Sequence, residues 1–214
     1  MAHVFGADNV GFGTLTGWSI QAGSADTAKD RPNTLGPTGN ESASNLIDSK
    51  DEVTTTYKAN TTGAPSIPPT LGATLNGVSL LGISLSTVPD DFATMVLTGH
   101  VHNDGTHGTL RTVAHGVTLT SGFGADAAGW TPAEANGIAG STINITCQHI
   151  DNRGGAGNTI VGENYDAKIE KTCTALGGFS GQPSGYDITS SNVDRANTDH
   201  KRTTETGIKA LVLA

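Results

Sequence analysis

Apolar and polar residues alternate along several short stretches of the chain, with the period of a β-strand that buries one face. Residues 51–58 show it most clearly, because Val53, Thr55 and Tyr57 fall on one face and charged or threonine side chains fall on the other. Together these stretches predict about ten strands. The predicted strands lie over residues 13–21, 51–58, 71–86, 92–102, 112–120, 142–150, 165–176, 186–192 and 199–213.

Turn and loop residues divide these strands. Asn76 and Gly77 stand between two apolar runs and predict a tight hairpin turn. Residues 131–136 predict a short helix, with Thr131 as its N-cap and Pro132 at its first position. The polar, glycine-containing stretches 23–49, 151–162 and 177–185 are predicted as loops. We therefore expect one all-β domain over residues 1–214, a β-sandwich or barrel-like fold with long hairpin loops and at most one short helix.

Composition narrows the class of protein. Charged residues make up 15% of the chain, against about 25% in a typical domain. Glycine accounts for 29 of the 214 residues, and threonine occupies the second face of many strands. Threonine-rich, weakly charged faces suit partial burial against neighbouring copies. No apolar run approaches the ~18–20 residues of a transmembrane helix, and nothing suggests a coiled coil.

Charge and termini exclude further classes of function. The net charge of −8 creates no field that would attract nucleic acid or anionic lipid. The first residues lack the basic and apolar regions of a signal peptide, so we expect none. Two cysteines, Cys147 and Cys173, are too few for a disulfide scaffold and are expected to be reduced, half-buried thiols.

Histidines offer the one candidate for metal chemistry. His100 and His102 lie two residues apart on a predicted strand, so their side chains share a face, and His107 follows in the next turn. These three could ligate a metal, although no cysteine or carboxylate stands at a spacing that completes a tetrahedral zinc site. Solvent-facing or interface histidines are the competing interpretation. We expect no cofactor.

Motifs of catalysis are missing from the sequence. There is no nucleophile elbow and no phosphate-binding loop. Asp90 and Asp91 are adjacent carboxylates, but they follow Pro89, and this pattern predicts a turn. Aromatic residues are 5% of the chain, too few for the sugar-stacking platform of a glycosidase. We therefore expect a protein that is not an enzyme.

The layout of the chain resembles the tail tube and other structural proteins of tailed bacteriophage virions. The first strand, with Gly17-Trp18-Ser19-Ile20, is followed by a long polar segment and then by the strand 51–58. A second hairpin, residues 143–149 with 166–175, is built in the same way. The segments 186–192 and 197–203 are similar to the closing strands of such a subunit. The histidine-rich middle of the chain lies outside this pattern.

The resemblance implies a structural role. Tube subunits form hexameric rings, their inner sheets join into one barrel around a lumen, and a long hairpin loop contacts the next ring. The implied partners are copies of this chain, other virion proteins and DNA that passes without specific binding, with no membrane. The implied location is the virion, assembled in the host cytoplasm. The expected inter-subunit contacts are Asp30, Arg31, Asn40, Asp51, Tyr57, Arg153, Asn158, Tyr165 and Lys168.

Three alternatives remain open on the sequence alone. A capsid decoration or head protein would bind a shell rather than form tubes. A carbohydrate-binding or receptor-binding adhesin would use a groove lined by Trp18, Trp130 or Tyr165. A hydrolase would use a metal held by the three histidines named above.

Overall fold

A computed structural model describes residues 11–30, 33–35, 37, 41–44, 47–102, 110–153, 159–195 and 201–213. These residues form antiparallel strands and no helix, which confirms the predicted all-β fold of β-sandwich or barrel-like type. The strands are β1 (Trp18–Asp30), β2 (Asn33–Leu35), β3 (Glu41–Ser44), β4 (Ile47–Ala59), β5 (Thr70–Leu71), β6 (Thr74–Leu75), β7 (Val78–Thr87), β8 (Thr94–His102), β9 (Val113–Ala114), β10 (Thr131–Pro132), β11 (Ile138–Arg153), β12 (Thr159–Leu176), β13 (Phe179–Gly181), β14 (Asp187–Asp194) and β15 (Arg202–Ala210).

One large sheet organises the described part of the chain. Its strand order is β1-β4-β8-β7-β11-β12-β15-β14, with β6 added beside β7, and every pairing is antiparallel. Three two-stranded sheets, β2-β3, β5-β9 and β10-β13, complete the described strands. Within these residues, no helix has the length and apolar character needed to cross a bilayer.

The core lies on one face of the large sheet. Alternate residues of the central strands point into it, and these are the positions that the alternation predicted for β4 and β11. Segments outside the large sheet, including Phe12, Leu71, Val113 and Trp130, cover this face and form the second layer. The fully buried residues of the sheet that contribute to the core include Tyr57, Leu80, Ile83, Leu85, Met95, Leu97, Ile143, Ile145 and Ile169.

Two of the predicted loops are largely strand. β1 and β4 pair up to Asp30 opposite Ile47, inside the predicted loop 23–49. β11 and β12 pair up to Arg153 opposite Thr159, inside the predicted loop 151–162. Both predictions were wrong. Residues 21–26 of β1 are exposed on both faces, so this strand shows no alternation of apolar and polar residues. The glycine and asparagine residues of segment 151–162 indicated a loop, although residues 151–153 and 159–162 lie in strands.

The predicted helix over residues 131–136 is also wrong. Thr131 and Pro132 pair with β13 instead, and the backbone N–H of Ala133 donates to the carbonyl of Gly178 at 2.9 Å. The chain then turns at Asn136, whose φ is 60°. Six residues form at most two intrahelical hydrogen bonds, so pairing with a neighbouring strand wins.

Two other predicted strands have different bounds from those expected. The first strand begins at Trp18, because Gly13 and Gly17 adopt φ values of 75° and 85° that an extended strand does not have. In the predicted strand 112–120, only Val113–Ala114 joins a ladder, although alternate side chains are buried as the pattern indicated. By contrast, the predicted turn at Asn76 and Gly77 is confirmed, with φ values of 48° and 82° that suit a type I′ turn.

Candidate assembly surfaces

The large sheet is open, with β1 at one edge and β14 at the other. In the part of the chain that the structure describes, β1 pairs with β4 alone and β14 with β15 alone. Natural proteins usually protect such edges with lysine, proline or a covering element. The sequence of β14 contains neither lysine nor proline, and seven of its eight residues are exposed. Among the described residues, the backbone N–H and C=O groups on the side of β14 away from β15 join no ladder, so another strand could pair with them.

The two edge strands run in opposite directions. Eight strands lie on the path across the sheet, and each is antiparallel to its neighbour. When copies of the sheet are repeated side by side in one orientation, β14 of one copy therefore meets β1 of the next in antiparallel register. Antiparallel pairing is the slightly more stable ladder. The topology thus permits a continuous sheet through several copies.

Two long hairpins leave the body of the sheet at the same end. The β1–β4 hairpin runs toward Asp30, and the β11–β12 hairpin runs toward Arg153. The pairing of β11 with β7 stops at Thr146 opposite Gly82, so the rest of β11 continues as an arm with β12. A β-bulge at Asp166, with φ of 49°, bends this arm and leaves Tyr165 exposed.

A cleft of about 640 Å³ opens where the β11–β12 arm parts from the sheet. Its walls come from β4, β8 and β11, and its floor includes Leu81, the residue at a bulge in β7. The side chains that carry its chemistry are a carboxylate on β4, a histidine on β8, and a thiol, a histidine and a carboxylate on β11. They are Glu52, His100, Cys147, His149 and Asp151.

Hydrogen bonds hold the histidine of β11 firmly in place. The Nε2 atom of His149 lies 2.8 Å from an oxygen of Asp151, and its Nδ1 atom lies 2.7 Å from the side-chain oxygen of Asn164. Asn164 is fully buried, and its amide nitrogen donates to the carbonyl of Arg111 at 2.9 Å. His100 packs on the same ring with 4.3 Å between ring centroids. This network ties β11, β12, β8 and the segment at Arg111 together at the base of the arm.

Burial limits the reactivity of the thiol in the cleft. Burial raises the pKa of Cys147 to about 11, so its nucleophilic thiolate form is suppressed at neutral pH. The described residues contain no group of three or more histidine, cysteine, aspartate or glutamate side chains placed to hold a metal. His107 and the side chain of His102 lie outside the described part of the structure, so the proposed histidine trio is not tested as a unit.

The predicted contact residues fall into three groups. Tyr165 is 47% exposed, and Asp51 and Lys168 are half-buried, so these three can reach a neighbouring molecule. Tyr57 was a wrong choice, because its side chain is fully buried and donates to the carbonyl of Gly13 at 2.7 Å. The others lie outside the described residues or have side chains that are not described: Asp30, Arg31, Asn40, Arg153 and Asn158.

The groove expected for an adhesin is not formed by the two tryptophans. Trp18 and Trp130 are 5% and 3% exposed, and their indole nitrogens donate to Ser66 and Glu205 inside the molecule. Both therefore belong to the core, and Tyr165 alone of the three stays on the surface.

Some surface features were missed in the sequence. Val88 and Phe123 are each 44% exposed at the end of the sheet opposite the arms, and Ile150 is 51% exposed on the β11–β12 arm. Asn164, which anchors the arm, was also missed, because a single asparagine in an alternating strand has no distinguishing pattern. Comparison with known proteins adds no assignment: no protein-family model and no curated protein matches this chain.

Proposed function

We propose that this protein is a virion structural protein, a tail tube subunit that assembles into stacked rings around a conduit for DNA. One observation supports the proposal above all: among the described residues, the large antiparallel sheet ends in two edge strands, β1 and β14, that run in opposite directions. Such a sheet can be continued from copy to copy, and closure of the row into a ring removes both edges.

The faces of the sheet also suit an assembled state. Outer-face threonines pair across strands, with 3.0 Å between the hydroxyls of Thr172 and Thr206 and 2.9 Å between those of Thr174 and Thr204. These four threonines are polar and uncharged, so burying this part of the face against a neighbour costs little desolvation of charge. The net charge of −8 suits a conduit that DNA passes without binding.

In this proposal the edges make the ring, and the arms reach the next ring. Other virion proteins cap the ends of the tube, and the protein acts in the virion after assembly in the host cytoplasm. It carries out no chemistry and needs no cofactor.

Charge placed on the β14 edge tests the proposal. Ser190→Lys with Asn192→Lys puts two cations on this exposed edge, where they would repel a second strand and leave the core untouched. Ser86→Lys is the matched control, because Ser86 is exposed on β7 in the middle of the sheet.

We expect rings from the wild type and from the control, and folded monomers from the edge variant. Negative-stain electron microscopy and light scattering at rising protein concentration measure this. If the edge variant assembles like the wild type, the edges do not make the ring. If particles form only in the presence of a capsid shell, the capsid decoration alternative is the better one.

A further inference from the structure

The β11–β12 arm depends on a small number of contacts outside its own two strands. On the arm side of Thr146, β11 no longer pairs with β7, and on the arm side of Lys168, β12 no longer pairs with β15. From there outward, the described residues of the arm form a two-stranded hairpin. Such a hairpin is only marginally stable by itself in water. The order of the arm therefore depends on the groups that fasten its base to the rest of the sheet.

His149 is at the centre of this fastening. It pairs with Asn164 across the arm, and its ring fills the space above Gly162, where a Cβ would lie 2.7 Å from Cε1 of the ring. The ring of His100, on β8, packs against it with 4.3 Å between centroids. The side chains of His149 and Asp151 are each only 7% exposed. His149 therefore joins both strands of the arm to the body of the sheet.

The orientation of the Asn164 amide is set by its second partner. A backbone carbonyl can only accept, so the side-chain nitrogen of Asn164 faces the carbonyl of Arg111, to which it donates at 2.9 Å. Gly72 packs over this bond, since a Cβ there would lie 2.8 Å from the amide nitrogen. The side-chain oxygen of Asn164 is thus the atom that lies 2.7 Å from Nδ1 of His149. Because this oxygen can only accept, Nδ1 must carry a hydrogen.

The other ring nitrogen of His149 also faces an acceptor. Nε2 lies 2.8 Å from a carboxylate oxygen of Asp151, and an ionised carboxylate only accepts. Both ring nitrogens can be satisfied together only if each carries a hydrogen, and the ring is then an imidazolium cation. A neutral imidazole would place one bare nitrogen against an oxygen lone pair inside the protein, which is unfavourable where water cannot intervene.

The other titratable groups around the ring come from every element packed against it. Glu52, on β4, lines the same cleft and adds a negative charge. Cys147, on β11, is a neutral thiol, because burial raises its pKa to about 11. His100, on β8, is the neighbouring imidazole. The charged pair beside the arm, Glu163 of β12 and Arg111, is joined at 3.5 Å on the opposite face of the strand.

We propose that the arm is a pH-dependent element, fastened to the sheet while both ring nitrogens of His149 carry hydrogen and released when one of these protons leaves. Since the fold stabilises the protonated ring, the fastening is present at lower pH and is lost as the pH rises. The bulge at Asp166 supplies the hinge, because its φ of 49° is unusual for a residue other than glycine and the ladder with β15 stops beside it. Release opens the cleft toward β4 and β8. The inference concerns the single subunit and does not depend on ring formation.

Nuclear magnetic resonance of the wild-type protein tests both halves of this inference. With ¹⁵N-labelled histidine, the ring signals of His149 report how many of its nitrogens carry hydrogen, and their absence in His149→Gln identifies them. Hydrogen exchange reports the protection of the arm amides within residues 148–152, with those of residues 143–146 as the internal reference. Protection factors are compared across the pH range, so that the intrinsic pH dependence of exchange is removed.

We expect two protonated nitrogens on His149 wherever the arm is ordered. As one proton is lost with rising pH, the protection of the arm amides should fall about ten- to a hundredfold over the same interval, the effect of leaving one buried acceptor without its donor. The reference amides in the centre of the sheet should keep their protection, which shows that the subunit stays folded.

Two variants that each remove one carboxylate separate the charge of the ring from other effects. Asp151→Asn keeps the shape of the side chain, but its amide can turn either nitrogen or oxygen toward Nε2 and so satisfies a neutral ring. Arm protection in this variant should lose its pH dependence. Glu52→Gln is the matched control, because it removes a carboxylate of the same cleft that makes neither of the two bonds to the His149 ring. It should keep the wild-type profile.

Each half of the inference can fail by itself. A single protonated nitrogen on His149 at every pH at which the arm is protected would refute the cationic ring. Protection that stays constant while His149 loses a proton would show that this proton does not fasten the arm. An unchanged profile in Asp151→Asn would place the pH dependence on another group. Ring assembly is tested separately at the β14 edge, so none of these outcomes decides it.

Discussion

Replacement of Asn164 by alanine tests the internal anchor of the β11–β12 arm. Asn164 is fully buried. Its side-chain oxygen lies 2.7 Å from Nδ1 of His149, and its amide nitrogen donates to the carbonyl of Arg111 at 2.9 Å. Truncation removes both hydrogen bonds in a place that water does not reach easily. A buried polar group deprived of its partner costs about 1–3 kcal/mol, so the two together cost about 2–6 kcal/mol.

This loss is large compared with the stability of an ordinary domain, which is about 5–15 kcal/mol. Asn144→Ala is the matched control on the neighbouring strand. Asn144 is half-buried on the outer face and accepts a single hydrogen bond, at 2.7 Å, from the hydroxyl of Ser84. Water can replace that bond, so its loss costs about 0.5–1.5 kcal/mol.

Urea unfolding followed by circular dichroism compares the two variants. With a slope of about 2 kcal/mol per molar, we expect the midpoint of Asn164→Ala to fall about 1 M or more below the wild type. That of Asn144→Ala should fall by less than half as much. Equal midpoints for the two variants would show that the network around Asn164 does not anchor the arm.

Three further predictions concern buried groups of the core. His115 donates from Nε2 to the carbonyl of Pro68 at 2.6 Å and accepts at Nδ1 from the N–H of Val117, and burial lowers its pKa. As the pH is lowered through about 6.5, the urea midpoint of the wild type should therefore decrease, and that of His115→Gln should decrease less; an equal decrease in both would contradict this. Burial raises the pKa of Cys147 to about 11 and that of Cys173 to about 12, so the neutral thiols stabilise the fold below pH 9 and this stability should be lost as the pH rises through 11. Replacing both cysteines by alanine should weaken the loss; an unchanged dependence of the urea midpoint on alkaline pH would refute this. Gly99→Ala should destabilise the fold by about 1–3 kcal/mol, because a Cβ there would overlap the carbonyl of Ser79 and lie 2.9 Å from the ring of Phe12. Gly63→Ala is the control, because a Cβ there would lie 3.6 Å from its nearest neighbour, so the urea midpoint should change little. Similar midpoints for the two variants would show that Gly99 is not closely packed.

The parts of the fold that alternate in burial could be predicted from the sequence. Val53, Thr55 and Tyr57 are buried on one face as expected, and so are Ile143 and Ile145. The turn at residues 76 and 77 was predictable, because asparagine and glycine accept the positive φ that a type I′ turn requires. In each case the local chemistry of the residues was enough.

The strands of the arms could not be predicted in this way. Residues 21–26 of β1 are exposed on both faces, so burial imposes no pattern on them and only backbone pairing with β4 makes them a strand. The segment 112–120 shows the opposite failure. Its alternate side chains are buried, but only Val113–Ala114 pairs with another strand. Beyond it, the ring of His115 bonds the carbonyl of Pro68 and accepts from the N–H of Val117.

The contact surfaces were predicted only in outline. Tyr165 lies on the surface as expected, but Tyr57 fits the same description in sequence and is buried in the core. The difference comes from the bulge at Asp166, which turns Tyr165 outward and has no marker in the sequence. The surface at Phe123 depends on its contact with Phe92, which is distant along the chain, so pattern alone could not reveal it.

The most direct test of the central claim is the state of assembly of the wild-type protein. Purified protein is concentrated stepwise, and its particles are counted and sized by light scattering and negative-stain electron microscopy. The account predicts rings that appear with rising concentration and then stack into tubes with an open lumen. A compact monomer at every concentration, pH and ionic strength tried would contradict it.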